Sequence, residues 1–293
     1  MNAPYVALIT GASTGFGRLL VQTLARRGHI VFASMRGIAE KNAGAASELA
    51  AFAAREGVAL QAIEMDVTDD VSVRKGIEHV VADAGRLDVV VNNAGATAFG
   101  LLETFSLEQA RKAFELNLFG PMRVNRAALP ILRARKSGLL VQVTSAGARY
   151  VLPFFGPYTA AKFAAEALAE TYRYELASEG IDSVIVEPGG YGTSLAKNAI
   201  MADDTARVAT YTRAKELLGA AVRGMTAAAS TDNPQEVADA ITALIEMPHG
   251  KRPLRTVVGR LAKSLLEDLN AATDRIQAER LRALGMSEML QLK

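Results

Sequence analysis

Short runs of consecutive apolar, often β-branched residues recur along the first two-thirds of the chain, each followed by a longer Ala-rich stretch with apolar positions at helical spacing. The runs Val6–Ile9, Ile30–Phe32, Leu60–Ile63, Val89–Val91, Leu139–Val143 and Val184–Val186 read as strands. Their near-continuous apolar character means burial on both faces. Segments beginning near Gly15, Ala39, Val71, Leu107, Tyr158 and Asn233 read as helices, and in Asn233-Pro234-Gln235-Glu236 the first residue caps while Pro fits the first turn. This alternation predicts an α/β fold, a doubly wound parallel β-sheet with helices on both faces. Leu254–Val258 reads as a final edge strand.

The stretch from about Ser194 to Thr231 has helical propensity but no obvious strand partner. It directly follows a strand end, so it is expected to be a substrate lid, with plain core covering or a subunit interface as the structural alternative. The 293 residues are therefore expected to divide into one domain over residues 1–259, with the lid of residues 194–231 inside it, and a helical tail of mixed charge over 260–293.

Composition narrows the function classes. With 50% hydrophobic and 22% charged residues and a net charge of +2, the chain has the balance of a soluble globular protein, and no dense Lys/Arg block suggests nucleic acid as a partner. The absence of cysteine excludes disulfides, thiolate nucleophiles and Cys-ligated metal centres, and fits a reducing compartment. His29, His79 and His249 lie far apart without metal-ligand spacing, so no metal site is expected. No basic leader precedes the first apolar run and no run of about 18 apolar residues appears. The expected location is cytoplasmic, with no membrane span.

Thr10-Gly11-Ala12-Ser13-Thr14-Gly15-Phe16-Gly17 follows the first strand and leads into a helix. Unsatisfied N–H groups at a helix start, the helix dipole and glycines without Cβ atoms make such a loop a seat for a dinucleotide pyrophosphate. The Gly-x-x-x-Gly-x-Gly spacing departs from the commoner Gly-x-Gly-x-x-Gly fingerprint, so its position in a βαβ unit carries the reading. The second strand ends in Ala33-Ser34-Met35-Arg36, with no acid at its tip. Arg36 can grip a ribose 2′-phosphate bidentately and Ser34 can add a hydroxyl, favouring NADP over NAD; Glu40, slightly further on, is the residue that opposes this.

Tyr158 and Lys162 stand four apart on a predicted helix, hence on one face. A nearby ammonium stabilises a phenolate and lowers its pKa from about 10, so the pair can shuttle a proton. Ser145, just after the strand Leu139–Val143, and Asn92-Asn93-Ala94-Gly95, just after Val91, belong on the same carboxyl rim of the sheet as the glycine loop.

With these residues in view, the chain resembles the short-chain dehydrogenase/reductase family, in its compact single-domain branch with a Rossmann fold. The likeness runs motif by motif over residues 4 to 193 and more loosely to residue 258. Thr10, Gly11, Gly15 and Gly17 match the family's cofactor loop, which also involves Ser13, Thr14 and Phe16, the last where an aliphatic residue is more usual. Asp66-Val67 matches the pair that contacts adenine, and Asn93, Ala94 and Gly95 the segment beside the cofactor. Asn117, Ser145, Tyr158 and Lys162 match the catalytic tetrad. Pro188-Gly189, with Tyr191 and Thr193, matches the stretch lining the nicotinamide, and Arg36 the arginine of NADP-preferring members.

The resemblance implies hydride transfer between nicotinamide and a carbonyl or secondary alcohol. Tyr158 is implied as proton donor, Ser145 as hydrogen-bonding partner of the substrate oxygen, Lys162 as holder of the ribose and modulator of the tyrosine, and Asn117 as anchor of a relaying water. A homodimer or homotetramer is also implied, through the helices following Leu107 and Tyr158. Phe99, Leu101, Leu102, Tyr150, Val151, Leu152, Phe154, Phe155 and Tyr191, with Arg149 the nearest conspicuous charge, are the expected pocket walls and favour an apolar small-molecule substrate. Met35-Arg36 and the Pro188–Thr193 segment resemble the hydroxysteroid and retinol dehydrogenase-like subgroup. The alternatives are an NAD-dependent alcohol dehydrogenase of this fold, or a non-catalytic NADP-sensing protein.

Overall fold

The computed structural model of the chain describes residues 3–191, 198–228 and 232–291. Seven parallel strands form the central sheet in the order β3-β2-β1-β4-β6-β7-β9: β1 (Val6–Thr10), β2 (Ile30–Met35), β3 (Leu60–Glu64), β4 (Val89–Asn92), β6 (Gly138–Val143), β7 (Ile181–Pro188) and β9 (Arg255–Val258). Each overlaps a run read from the apolar pattern, β9 starting one residue inside the run Leu254–Val258. Alternate residues point to opposite faces of a strand. Ala7, Ile9, Val31, Ala33 and Val141 pack on one side with α1 (Gly15–Arg26), α2 (Ala43–Glu56) and α9 (Gln235–Glu246). Val6, Leu8, Phe32, Val90 and Leu140 pack on the other with α3 (Asp70–Ala84) and α5 (Gly120–Ala134).

The strand order reverses between β1 and β4, whose carboxyl ends therefore flank an open crevice. Thr10 sits there, 1% exposed, and ties the two strands together: its Oγ1 donates to the Val91 carbonyl (3.3 Å) and accepts from the Asn93 and Ala94 amides (3.0 Å each). The helix expected near Ala39 begins at Ala43 instead. Glu64 explains the delay, because its carboxylate accepts the Gly37 and Ile38 amides at 2.8 and 2.7 Å and holds residues 37–38 in a loop. At the start of α9, Asn233 Oδ1 accepts the Gln235 amide at 3.0 Å as the sequence suggests, whereas Glu236 receives the Tyr191 hydroxyl (3.1 Å).

The stretch after β7 departs from expectation. Ile200–Met201 (β8) does have a strand partner, Ala98–Phe99 (β5), in a two-stranded parallel ladder that a two-residue pattern cannot announce. Ile200 N–H donates to the Thr97 carbonyl (2.8 Å), and the Gln109 side chain to the Met201 carbonyl (2.8 Å), anchoring this edge beside α4 (Leu107–Phe114). Two helices follow, α7 (Thr205–Thr210) and α8 (Arg213–Ala228). Residues 194–197 and 229–231 of the expected lid lie outside the described residues.

The tail forms α10 (Arg260–Ala283), which lays Ala262 and Leu266 against Ala146, Val257 and Tyr150. Among the described residues, no helix is long and apolar enough to cross a membrane.

Candidate active site

A cleft of about 610 Å³ opens where the carboxyl ends of β1, β4, β6 and β7 converge. Seventeen of the residues singled out in the sequence line it: Gly11, Ser13, Thr14, Gly15, Phe16, Arg36, Asp66, Val67, Asn93, Ala94, Gly95, Asn117, Ser145, Tyr158, Lys162, Pro188 and Gly189. The chain thus gathers side chains almost 180 positions apart.

One end of the cleft is shaped for a phosphate chain. Helix α1 starts there with no acidic residue in its first turn and no side-chain cap at Thr14, leaving its amides available to an anion. Gly11 has φ +66°, and a Cβ on it would lie 2.7 Å from Ala94 Cα; a Cβ on Gly17 would lie 2.5 Å from the Gly11 carbonyl and 2.6 Å from Asn93 Nδ2. Asn93 Nδ2 itself donates to the Thr10 and Gly11 carbonyls at 2.9 and 3.1 Å, so the glycine loop is braced from beneath. Phe16 packs edge-on against Tyr191, with ring centroids 5.3 Å apart. Tyr191 therefore buttresses the loop from outside the cleft. Thr193 lies outside the described residues.

Arg36 stands half-exposed at the cleft wall, 3.8 Å from Asp66. Against the cost of partial burial, the Thr68 amide and hydroxyl, with Arg36 and Lys41 nearby, hold the Asp66 carboxyl below its ordinary value. Lys41 and Asn42 also line the wall; the sequence reading passed over them, although a second basic residue five positions after Arg36 was a usable signal. Glu40, the residue expected to oppose phosphate binding, does not line the cleft. Ser34 corrects an expectation: it is fully buried, its hydroxyl has no hydrogen-bond partner, and it cannot reach a ligand in the cleft. Strand alternation turns its side chain toward the sheet face shared with Phe32 rather than the rim.

The chemical groups meet at the other end. Ser145 leaves the end of β6, and its Oγ accepts the Gly147 amide at 3.1 Å. Tyr158 and Lys162 lie on α6 (Gly156–Glu175), buried to 7% and 5% exposure. The tyrosine hydroxyl shares a hydrogen bond with Ser145; burial nevertheless pushes the phenol above its ordinary value, with that bond pulling the other way. Lys162 Nζ donates to the Val143 carbonyl at 3.0 Å and sits 5.9 Å from the centre of the Tyr158 ring. The net direction for the phenol is upward, opposite to the lowering that the spacing suggests, because burial is the largest influence on it. Burial also lowers the Lys162 pKa to about 8, opposed by Glu166.

Asn117 occupies a π-helical turn, Glu115–Phe119, between α4 and α5. Such single-turn bulges in α-helices recur at functional sites. Its Nδ2 donates to the Ala113 and Ala96 carbonyls, both at 2.8 Å, while its buried Oδ1 has no partner. A Cβ placed on Gly95 would lie 2.7 Å from that Oδ1 and 3.6 Å from Lys162 Nζ. The glycine therefore leaves room between two polar atoms that otherwise face each other across bare backbone.

Aromatic rings pack beside Tyr158. Phe99 stacks edge-on to Phe155 at 5.0 Å, and Phe155 lies 6.3 Å from Tyr158. Phe154 holds φ +73°, a conformation costly for a bulky residue, and is locked there by a hydrogen bond from Gly100 N–H (2.8 Å). None of the expected wall residues is among those that line the cleft, and Arg149 and Tyr150 pack onto the tail helix instead. Arg149 turns inward to donate to Asn270 (2.8 Å) and Thr273 (2.9 Å) of α10, because a guanidinium over the buried Glu187 gains more there than at an apolar rim; Tyr150 packs on the same helix. Met35, Met65, Ala96, Lys112, Leu116, Val143 and Thr144 also line the cleft, together with Asn198 and Ile200 from the stretch expected as a lid.

The donor set fits a nicotinamide dinucleotide: amides and glycines for the pyrophosphate, cations at the ribose end, and a lysine beside a phenol where a ring and substrate meet.

Comparison with known proteins agrees with this geometry. The family model described as short chain dehydrogenase matches residues 5–204. A 3-ketodihydrosphingosine reductase of Bacteroides thetaiotaomicron is 32% identical over 208 residues, covering 71% of this chain and 72% of that protein. An NADPH-dependent 3-dehydrocapnine reductase of Ornithobacterium rhinotracheale is 29% identical over 195 residues, 64% of this chain and 66% of that one. The crystal structure of a short-chain dehydrogenase from Streptomyces avermitilis superposes with a TM-score of 0.77 at 31% identity, covering 97% of this chain and 98% of that chain.

Proposed function

The chain belongs to the short-chain dehydrogenase/reductase family, and from that premise we propose that it is an NADP-dependent oxidoreductase of apolar ketones and the corresponding secondary alcohols. The observation that carries the reading is the meeting of Ser145, Tyr158, Lys162 and Asn117 at the floor of a cleft whose far end is built for a dinucleotide. When bound, the nicotinamide cofactor supplies or accepts the hydride.

In the reducing direction, Tyr158 donates its proton to the substrate's carbonyl oxygen as negative charge develops there. Its raised pKa keeps the phenol protonated at neutral pH, which suits a donor. Ser145, already hydrogen-bonded to Tyr158, orients the same oxygen. Lys162, with a pKa lowered to about 8, can give up a proton and regain it near neutral pH, and so replenishes the tyrosine. The space over Gly95, between Asn117 Oδ1 and Lys162 Nζ, suits a water that passes protons inward.

Arg36 with Lys41 supports NADP over NAD, as does the name of the NADPH-dependent relative. Replacing Arg36 by Leu is expected to weaken NADPH binding about 10- to 100-fold and to leave NADH binding nearly unchanged. Titration of both cofactors against parent and variant tests this; a parent that prefers NADH overturns it.

The aromatic cluster of Phe99 and Phe155 packed beside Tyr158 supports a substrate that presents its carbonyl on an apolar chain or ring system, and the two named reductases act on 3-keto and 3-dehydro compounds. A panel of ketones of graded chain length, followed by NADPH absorbance, should give KM values that fall with apolar length. A homodimer or homotetramer through α4 and α6 is supported by the exposed Leu107, Phe119 and Phe163, and sedimentation would measure it.

A further inference from the structure

Behind Lys162, away from the cleft, lies a buried cluster of charges that the reaction above does not use. Glu166 follows Lys162 by one turn of α6 and is 3% exposed; Glu187 is fully buried on β7, immediately before Pro188 at the cleft wall. Arg255 Nε, from β9, lies 3.0 Å from Glu166 Oε1 and 3.8 Å from Glu187 Oε1, so one nitrogen addresses both carboxyl groups. Asn270 Nδ2 donates to Glu187 Oε2 at 2.6 Å, and Arg149 Nε stands 3.7 Å from Glu187 Oε1. Two oxygens remain buried with no donor, Glu166 Oε2 and Glu187 Oε1.

One guanidinium nitrogen, 3.0 Å from an oxygen of one carboxyl group and 3.8 Å from an oxygen of the other, brings the two groups together in a buried site, where two like charges so placed favour keeping one proton between them. The surroundings give the same count. Glu166 faces Lys162 and Glu170 on its own helix, Glu187 on β7, Arg255 on β9, and Asp274 of α10 and Arg149 through these. Four carboxyl groups meet three cations; Asp274 and Glu170 keep contact with solvent, whereas Glu166 and Glu187 are buried, so the one proton that closes the difference belongs with the buried pair, where unbalanced charge is costly. Tyr174 adds a neutral hydroxyl, donated to Glu170 at 2.8 Å.

We propose that Glu166 and Glu187 share one proton, and that this pair, clasped by Arg255, positions the Lys162 turn of α6 against the end of β7. Arg255 also holds Glu170 and Asp274, so the same guanidinium ties the tail helix α10 to the catalytic helix. Loss of the shared proton sets two carboxylates face to face and adds a negative charge one turn from Lys162, displacing the lysine and strengthening its hold on its own proton. The consequence for turnover rests on the role given to Lys162 above. The shared proton itself does not.

Burial and Glu187 push the Glu166 carboxyl up to about 8, against the pull of Arg255. A pKa raised on folding contributes stability that is complete below the ordinary carboxylate range and is lost as pH rises through about 8. Infrared spectra of the parent protein at neutral pH should show the carbonyl stretch of a buried carboxylic acid, titrating near pH 8 and absent from Glu166→Gln, whose amide donates to Glu187 without a titrating proton. Thermal stability of the parent should fall across the same range, with a flatter profile in the variant. With substrate, Glu166→Gln should keep turnover within about threefold at neutral pH and show a shallower alkaline decline that carries the Lys162 step alone, while Glu166→Ala should lose about tenfold at every pH. Should Glu166→Gln fold poorly, Glu187→Gln gives the same readouts. A parent without the acid band at neutral pH, or glutamine variants of both sites that retain it, overturns the proposal. A parent with the band but no activity on any ketone fails the proposed function alone.

Discussion

Replacing Tyr158 by Phe is expected to lower turnover about 10³-fold while NADPH affinity stays within a few-fold of the parent. The change removes one oxygen from a side chain that is 7% exposed and packed beside Phe155, so the ring keeps its place and the fold should be undisturbed. What disappears is the hydroxyl bonded to Ser145, the proton donor of the proposed reaction. Water does not readily replace it, because the position is buried beside Phe155. Steady-state kinetics with a reducible ketone, together with fluorescence titration of NADPH, separates the two effects. Turnover near the parent rate would refute the donor assignment. A matching collapse of cofactor affinity would point to a damaged cleft instead.

Gly17→Ala is expected to weaken cofactor binding about 100-fold. The new Cβ would lie 2.5 Å from the Gly11 carbonyl and 2.6 Å from Asn93 Nδ2, and neither is a flexible side-chain end. Gly11 is held at φ +66° with Ala94 pressed against it, and Asn93 is bonded to Thr10 and Gly11, so the loop has no direction in which to yield except into the pyrophosphate seat. Gly44→Ala is the control: nothing lies within 4 Å of its Cβ position near the start of α2, and a small gain of about 0.5 kcal/mol in stability is expected. Calorimetric titration of NADPH into both variants checks the contrast. Equal affinities would mean that the loop does not seat the phosphates.

Much of this site is legible in the linear chain because its determinants are local. Backbone geometry demands glycine where Gly11 turns, and a helix of 3.6 residues per turn places Tyr158 and Lys162 on one face whatever surrounds them. The same locality explains the misreadings. Ser34 has the right chemistry at a strand tip, but its direction is set by alternation and the layer packed on that face. Arg149 sits where a pocket wall is expected, yet its choice of partner depends on α10, more than 120 residues later. The partner of Ile200–Met201 is a two-residue edge a hundred positions upstream, too short for any periodicity. Asn117 was found by resemblance; its π turn and its unpartnered Oδ1 have no mark in the residue pattern.

By itself, the sequence determined the layered α/β architecture, the strand runs, the glycine cradle and the phenol–lysine spacing, since each follows from backbone sterics and hydrophobic periodicity within a few turns of chain. Tertiary structure alone decided which way the pKa values move, where Arg149 and Ser34 point, and that Glu166, Glu187 and Arg255 meet behind Lys162. Desolvation and Coulomb energies depend on burial and on separations of a few ångströms between distant segments, and these exist only once the helices have closed over the sheet.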